Sequence, residues 1–317
     1  MQHTLQLHPV VDLSPFLSDG TLVALNVGPD AQLYAVIAQK PVDDREITAS
    51  GSSFAKPVPS VPQTYRVLAF RDCDTTLDIK VIDERFNIQD VQPLPGGELL
   101  LVSRRSHRRG PADFDRNGRV YRPDGRLVRE LLLGDGIADV QATRSGLIWT
   151  SFFDEGVFGN YGWDHPTGSA GLVAWNPADE CVYEFKPTRG LDSIDDCYAL
   201  NVESDSNTWL YYYTRFPLVR LRDWRIESYW EMPVHGSGAF AVASGLALFA
   251  GSYDDRERCR LFELTPDRVR EVSEFGLVDH SGAELVPERV VGRFDALHLL
   301  QRGRVYRLNI ETAASLQ

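Results

Sequence analysis

Three aspartates occupy equivalent places in a repeated pattern and could together bind a cation. Asp90, Asp139 and Asp196 each follow an isoleucine by two positions, in the segments NIQDV, GIADV and SIDDC. Ca²⁺ and Mg²⁺ prefer oxygen ligands from several chain segments, so the three carboxylates are candidate ligands of such a divalent cation. An aspartate at each turn can instead accept backbone N–H bonds and hold the turn, with no cofactor bound. The pattern leaves both roles open.

A basic segment, SRRSHRRG, brings Arg104, Arg105 and His107 together with two further arginines. Guanidinium groups suit carboxylate or phosphate partners, which predicts an anionic ligand at this segment. The same arginines could instead pair with the acidic residues Asp154 and Glu155 of a neighbouring loop.

A long loop after Ser151 is rich in aromatic and acidic residues, with the sequence FFDEGVFGNYGWDH. Apolar walls with a few polar groups are what a ligand pocket requires, and Tyr213 and Arg215 of a later segment are expected nearby. A loop that plugs the fold with its own small core is the alternative. The predicted ligand-binding residues are Arg104, Arg105, His107, Asp154, Glu155, Tyr161, Trp163, His165, Tyr213 and Arg215.

No segment carries a known catalytic signature, so catalytic residues stay unassigned. The sequence has no G-x-S-x-G elbow, no H-E-x-x-H helix and no phosphate-binding glycine loop. The segment DFDRNGRVYRPD matches the spacing of an EF-hand loop, but its second half is predicted to be a strand, which favours a polar loop and a hairpin.

Composition narrows the class of protein and partner. The chain has 317 residues, of which 43% are hydrophobic, and a net charge of −12, which disfavours nucleic-acid and anionic-membrane partners. Four scattered cysteines without a C-x-x-C pair predict free thiols. The N-terminal segment lacks the pattern of a secretory signal, so a cytoplasmic location is expected.

A repeat of about 50 residues positions these candidates. The segment from Asn87 matches the segment from Gly136 at Ile, Asp, Val, Gln and Gly, and ALNV occurs both at Ala24 and at Ala199. Each of the first five repeats divides into four short β-type runs, as in the blade of a propeller, whereas the last repeat has only three and lacks an outer run. The prediction is an all-β, six-bladed β-propeller of four-stranded antiparallel blades in a single domain, 1–317. The predicted blades are 20–83, 87–134, 136–188, 193–233, 237–276 and 287–311, with an N-terminal strand, 3–11, that joins the last blade and closes the ring.

The blade pattern, with its Ile-x-Asp starts and outer hairpins such as GRVYRPDGRLVREL, resembles six-bladed propellers of the NHL, SMP-30/gluconolactonase and strictosidine-synthase-like group. The resemblance covers the whole chain at the level of fold. It implies a divalent metal held by Glu, Asn and Asp residues of different blades. Asp90, Asp139 and Asp196 match those blade positions, with Thr21 in the first blade, whereas the expected Asn ligands are missing.

Two functions follow as expectations. The first is a non-catalytic propeller that binds a protein, peptide or small-molecule ligand through its aromatic and charged loops. The alternative is a metal-dependent hydrolase or lactonase of the SMP-30 kind, with Asp154 or Glu155 as base. A weaker third expectation is an acidic binder of a basic partner, which rests on net charge alone.

Overall fold

Short strands joined by turns make up nearly all of the structure, a computed structural model that describes residues 4–316. Contacts divide the described chain into two compact units, which we call the first unit, Phe16–Lys186, and the second unit, residues 4–15 with 187–316. Two N-terminal strands, β1 (Thr4–Gln6) and β2 (Pro9–Asp12), belong to the second unit.

The first unit contains three four-stranded antiparallel sheets and one small hairpin. Sheet one consists of β3 (Thr21–Val27), β4 (Leu33–Ala38), β7 (Gln63–Arg71) and β8 (Asp74–Glu84), with the hairpin β5 (Arg45–Ile47) and β6 (Ser53–Ala55) between β4 and β7. Sheet two consists of β9 (Asp90–Pro93), β10 (Leu99–Val102), β11 (Gly118–Tyr121) and β12 (Leu127–Leu131). Sheet three consists of β13 (Ile137–Ala142), β14 (Ile148–Phe152), β15 (Leu172–Trp175) and β16 (Cys181–Glu184), with the helix α1 (Asp154–Phe158) between β14 and β15.

The second unit repeats the same plan. Sheet four consists of β17 (Asp196–Ser204), β18 (Asn207–Tyr213), β19 (Pro217–Arg222) and β20 (Arg225–Glu231). Sheet five consists of β21 (Phe240–Ala243), β22 (Leu246–Ala250), β23 (Cys259–Thr265) and β24 (Arg268–Val278). Sheet six consists of β25 (Arg289–Arg293), β26 (Ala296–Gln301) and β27 (Arg304–Asn309), and the helix α2 (Ile310–Ala314) follows it.

The N-terminal strands complete sheets five and six. Strand β2 pairs antiparallel with β27 and gives sheet six its fourth strand, which confirms the expected link between the chain start and the last blade. Strand β1 pairs in parallel with β24, so sheet five has five strands where four were predicted. The predicted strand 3–11 begins at His3, which lies outside the described residues. The predicted strand is divided into β1 and β2 because the first pairs with sheet five and the second with sheet six.

Six blade-type sheets and two short helices make this a six-bladed β-propeller, as the sequence predicted. The buried faces of the sheets are mainly aliphatic, as in Val67, Leu100, Val140, Leu210 and Leu248. No helix in residues 4–316 is long and apolar enough to span a membrane. The four cysteines all lie within the described chain and form no disulfide. The single-domain assignment remains a prediction.

Buried amides explain the repeated ALNV segments. Asn26 on β3 accepts a bond from the backbone N–H of Val91 at 3.0 Å and donates to the carboxylate of Asp90 on the next sheet. Asn201 on β17 accepts from the N–H of Phe294 at 2.8 Å and donates to that residue's carbonyl at 2.9 Å. A buried amide that bonds the neighbouring sheet satisfies backbone groups that strand pairing leaves unpaired. The repeat therefore encodes contacts between blades.

Candidate functional site

Three loops of the first unit meet at Tyr161. Each joins the second and third strands of one sheet: residues 39–62 in sheet one, 103–117 in sheet two and 153–171 in sheet three. The Tyr161 hydroxyl donates to the carbonyl of Ala55 at 2.6 Å, and its backbone carbonyl accepts from the N–H of Arg108 at 2.9 Å. We call this meeting point the loop junction. Long loops of sheets one, two and three therefore converge at one place.

The sequence around Tyr161 allows this close approach. Gly162 has a φ of +85°, a region that L side chains rarely adopt, and a Cβ there would overlap the carbonyl oxygen of Arg108. Gly136 and Gly156 likewise lie with their backbones in contact, where any side chain would collide. Glycine at position 162 lets the loop of sheet three lie against the loop of sheet two, and the glycines at 136 and 156 let the same loop lie against the link between sheets two and three.

The first loop has more structure than its Pro- and Ser-rich sequence indicates. A mobile flap is what its length suggests, yet it contains the β5–β6 hairpin. Asn87 donates to the carbonyls of Asp43 and Lys56 at 2.8 and 2.7 Å and so ties this loop to the segment that joins β8 to β9. The residues that these bonds join lie far apart in the sequence, so the composition of the loop alone does not predict the bonds.

Arg105 is the buried charge at the centre of the junction. Its guanidinium bonds Asp135 at 3.0 Å and Glu155 at 2.5 Å, and it lies 4.2 Å from the ring centroid of Tyr161 and 5.3 Å from that of Phe153. Burial raises the pKa of Asp135 to about 6, although the charge of Arg105 opposes this. Arg105 is therefore held by the chain's own acids and aromatic rings.

The remaining basic residues of the segment are also engaged within the chain. The backbone N–H of His107 donates to Asp115 at 3.0 Å, and its ring lies 4.6 Å from that of Tyr161. Burial lowers the pKa of His107, which favours the neutral imidazole. Arg109 bonds the buried carboxylate of Asp115 at 2.7 Å. Two roles were expected for this segment, an anionic ligand or pairing with acids of a neighbouring loop. The ion pair between Arg105 and Glu155 is of the second kind.

The EF-hand-like segment forms a loop followed by a strand, as expected. Asn117 donates to the carbonyls of Ser103 and Gly134, both at 2.7 Å, and β11 begins at Gly118. The residues that an EF-hand would keep in its loop are therefore paired in sheet two.

Asp90 and Asp139 lie near each other, with the guanidinium of Arg104 beside them. Arg104 makes two bonds to Asp90, at 2.7 and 2.9 Å, and Asp90 is fully buried. Asp139 accepts bonds from the N–H of Val140 and from Gln141, at 2.8 and 3.0 Å. Its pKa is raised to about 6 by burial and by the charge of Asp90, against the opposing charge of Arg104. Two carboxylates, those of Asp90 and Asp139, thus share one neighbouring arginine, Arg104.

These contacts do not suit the divalent metal that the resemblance implies. Both carboxylate oxygens of Asp90 accept bonds from Arg104, so a guanidinium already fills the place of a cation. Asp196, the third candidate ligand, begins β17 of the second unit. Within residues 4–316, no three His, Cys, Asp or Glu side chains are grouped as a metal site requires.

Trp163, Asp154 and His165 have different positions in the loop of sheet three. Trp163 is only 6% exposed, and its indole N–H donates to the carbonyl of Ser106 at 2.7 Å, so it anchors this loop on the loop of sheet two. Asp154 and His165 are exposed, and the Asp154 carboxylate accepts the N–H of Glu155 at the start of α1. The loop has its own core and also exposed residues, which combines features of both expectations.

Tyr213 and Arg215 lie in the second unit, where Tyr213 is the last residue of β18 and Arg215 is in the loop between β18 and β19. Tyr213 is 42% exposed and contacts Phe216 edge-on, while Arg215 forms ion pairs with Asp192 and Glu231 at 2.9 and 2.8 Å. Phe216 also stacks on His235, with ring centroids 5.1 Å apart.

Sequence reasoning missed Asp135 at the junction and the aromatic partners His235 and Tyr253 near Tyr213. Asp135 stands between two glycines in GDG and reads as an ordinary turn residue, so only the fold reveals its bond to Arg105. Tyr253 follows strand β22, and its ring centroid lies 5.8 Å from that of Phe216. The two residues are distant along the chain, so the sequence does not reveal this contact.

Comparisons with known proteins place the fold more firmly than the function. A family model described as the YxzG family matches residues 170–308. No curated protein matches the chain. A chain of the structure described as "Crystal Structure of Mitotic Checkpoint Complex" is similar over 91% of this chain and 87% of its own, with a TM-score of 0.51 and 7% identity. The computationally designed Ika8 protein is similar over 95% of this chain and 99% of its own, with a TM-score of 0.45 and 10% identity. The first likeness supports the fold alone.

Proposed function

We propose that the protein is a non-catalytic binding scaffold and that the loop junction binds a segment of a protein or a peptide. The observation that carries this proposal is the convergence of three loops at Tyr161, because it fixes loops from three sheets into one surface. Loops held on a rigid framework are where binding residues usually lie.

The exposed residues of these loops suit a protein partner. Ile47 is 74% exposed, Phe54 49% and Phe158 68%, and each stands on one of the loops that meet at Tyr161 or on the α1 helix within them. The loop of sheet two adds two exposed charges, Arg109 and Asp113, which pair with each other. Aromatic residues and arginine are enriched in the centres of protein interfaces, with polar groups at the rim. Among the expected partners, a protein or peptide is therefore favoured over a small molecule.

The resemblance to the NHL, SMP-30 and strictosidine-synthase-like group stays a prediction, which the six sheets and the aspartates at blade starts support. We do not propose its hydrolase activity for this chain, because Arg104 already neutralises Asp90. The cytoplasmic location also stays a prediction.

A peptide selection tests the proposal. Peptides from a phage-displayed random library are selected on the wild-type protein, and their affinities are then measured for Phe54→Ser and Phe158→Ser. We expect losses of about tenfold or more, because truncating an aromatic contact in an interface removes more than 1 kcal/mol. Both side chains are exposed, so the melting temperature should change little.

Val182→Ser is the matched control, since Val182 is 45% exposed on the outer strand β16 of the same unit. Peptides that bind the control as tightly as the wild type but bind the junction variants weakly support the proposal. The proposal is refuted if both junction substitutions leave the affinity unchanged, or if only the control substitution lowers it. Either result would place the binding surface elsewhere.

A further inference from the structure

A cleft between sheets four and five of the second unit has the composition of a small-molecule site. Its volume is about 570 Å³, within the range of ligand pockets in proteins. The cleft lies at three turns, those between β17 and β18, between β21 and β22, and between β23 and β24. Strand β20 also contributes residues to it. The residues that line it include Glu203, Trp209, Arg220, Trp230, Leu246 and Leu264.

Two tryptophans form the aromatic wall. Trp209 on β18 and Trp230 on β20 are stacked, with ring centroids 5.9 Å apart and planes inclined by 17°. The indole N–H of Trp230 donates to the carbonyl of Thr265 at 2.7 Å, and that of Trp209 donates to Glu203 at 2.9 Å. Both rings are thus fixed in orientation by hydrogen bonds. Both rings line the cleft, and Trp230, which is half-buried, is the more exposed of the two, since Trp209 is only 7% exposed.

One carboxylate in the cleft lacks a cationic partner. Arg220 bonds Glu227 at 3.1 Å and the side-chain oxygen of Asn207 at 3.0 Å, so that pair of charges is balanced. Glu203 accepts bonds from Trp209 and Asn207, both through Oε2. Among the residues that the structure describes, no lysine, arginine or histidine forms an ion pair with Glu203, and its Oε1 has no protein donor.

Arg220 already shows how a cation is accommodated at this wall. Its guanidinium carbon lies 5.0 Å from the ring centroid of Trp209, within the range of a cation–π contact. A tryptophan face is the strongest aromatic partner for a cation, and quaternary ammonium ligands are recognised by such faces. A half-buried carboxylate beside the ring adds attraction that an uncharged ligand would not feel.

We propose that this cleft binds a small organic cation of the quaternary-ammonium class, with Glu203 and Trp230 as the groups that recognise its charge. The apolar part of the ligand lies against Leu246 and Leu264. This site is separate from the loop junction, since every residue that lines it belongs to the second unit.

Calorimetric titration of the full chain with choline tests the proposal. The comparison ligand is the uncharged analogue of choline in which a carbon atom replaces the nitrogen, so size and shape are nearly the same. We expect saturable choline binding that is about tenfold tighter than binding of the analogue, because only choline gains from the carboxylate and the ring. Glu203→Gln should weaken choline binding about tenfold, and Trp230→Leu should weaken it at least as much.

Glu203→Gln keeps an oxygen that can accept the bonds from Trp209 and Asn207, so the variant should fold, and its melting temperature is the check. Glu263→Gln, which removes a half-buried carboxylate paired with Arg270 on β24 of the same unit, is the control and should bind choline as the wild type does. Equal affinity for choline and its analogue would overturn the proposal, as would undiminished choline binding by folded Glu203→Gln. Absence of saturable choline binding to the wild type would do the same.

Discussion

The loop junction of the first unit and the cleft of the second unit use similar residue types in opposite ways. At the junction, Arg105 is 6% exposed and bonds two acids of its own chain, and Trp163 is buried against a neighbouring loop. In the cleft, Trp230 is half-buried and Glu203 has no ion-pair partner among the described residues. Charges and aromatic rings therefore stabilise the loops in one region and remain available to a ligand in the other.

Trp163→Ala should produce the largest loss of stability. Removing a buried tryptophan costs about 3–5 kcal/mol, and the carbonyl of Ser106 would lose its donor, so we expect a total of about 4–6 kcal/mol. Trp230→Ala should cost only about 1–2 kcal/mol, because that ring is half-buried beside the cleft. Urea unfolding of both variants measures the difference. Equal losses would mean that the two tryptophans do not differ in role.

Phe158→Ala is the control within the same loop, since Phe158 is 68% exposed and should leave the unfolding midpoint almost unchanged. A loss for Phe158→Ala as large as that for Trp163→Ala would show that the loop core includes the exposed side of α1.

The strands were predictable from the sequence because alternation of apolar residues and turn residues is a local signal. The observed strands of sheet four, from Asp196 to Glu231, all fall within the predicted blade 193–233. The N-terminal strand could be placed because the last repeat lacked an outer run. The sequence has no comparable gap that would predict the parallel pairing of β1 with β24.

The sites were harder to predict because they depend on contacts between distant segments. Arg105 and Glu155 could be suggested as partners from their charges, but the bond from Arg105 to Asp135 joins positions 30 residues apart with no pattern between them. The cleft is built from strand ends and tight hairpins, which look like ordinary blade residues in the sequence. Long loops attract attention in a sequence, whereas a cleft between regular sheets does not.

Arg105→Met should destabilise the protein strongly, whereas Arg220→Met should have a small effect. The first change leaves the buried carboxylate of Asp135 without its cation, which typically costs about 3–5 kcal/mol. The second removes an ion pair whose partner, Glu227, is exposed to solvent, so we expect about 1 kcal/mol or less. The free energies of unfolding at neutral pH test this contrast. A small effect of Arg105→Met would show that the junction tolerates an unpaired carboxylate and that its ion pairs are not structural.

Gly162→Ala should destabilise the junction by about 1–3 kcal/mol, since it forces a side chain into a left-handed backbone conformation and against the carbonyl of Arg108. Gly245 beside the cleft has a φ of +76°, but a Cβ there would meet its nearest neighbour, the carbonyl oxygen of Leu264, only at 3.6 Å. Gly245→Ala therefore carries the backbone cost without the overlap. Thermal unfolding should rank the two variants in that order, and the reverse order would argue against close packing at Gly162.

Asp139→Asn should have the smallest effect, and it should depend on pH. The pKa of Asp139 is raised from 3.8 to about 6 in the folded protein, so the folded state binds a proton more tightly than the unfolded state. The protonated carboxyl therefore adds stability that is fully present below pH 3.8 and is lost as the pH rises through about 6. Asparagine is uncharged at every pH, so the variant should lack this loss and gain about 1–2 kcal/mol relative to the wild type between pH 4 and 7.

The difference in free energy of unfolding between wild type and Asp139→Asn, measured by urea at several pH values, isolates this group from the other acids. Asp279→Asn, in the second unit, is the control because hydrogen bonds from Ser281 lower the pKa of that exposed carboxyl. Its difference from the wild type should run in the opposite direction, with the wild type gaining stability as the pH rises. A pH-independent difference for Asp139→Asn would show that the pKa of Asp139 is not raised, so that Arg104 fully offsets the effects of burial and of Asp90.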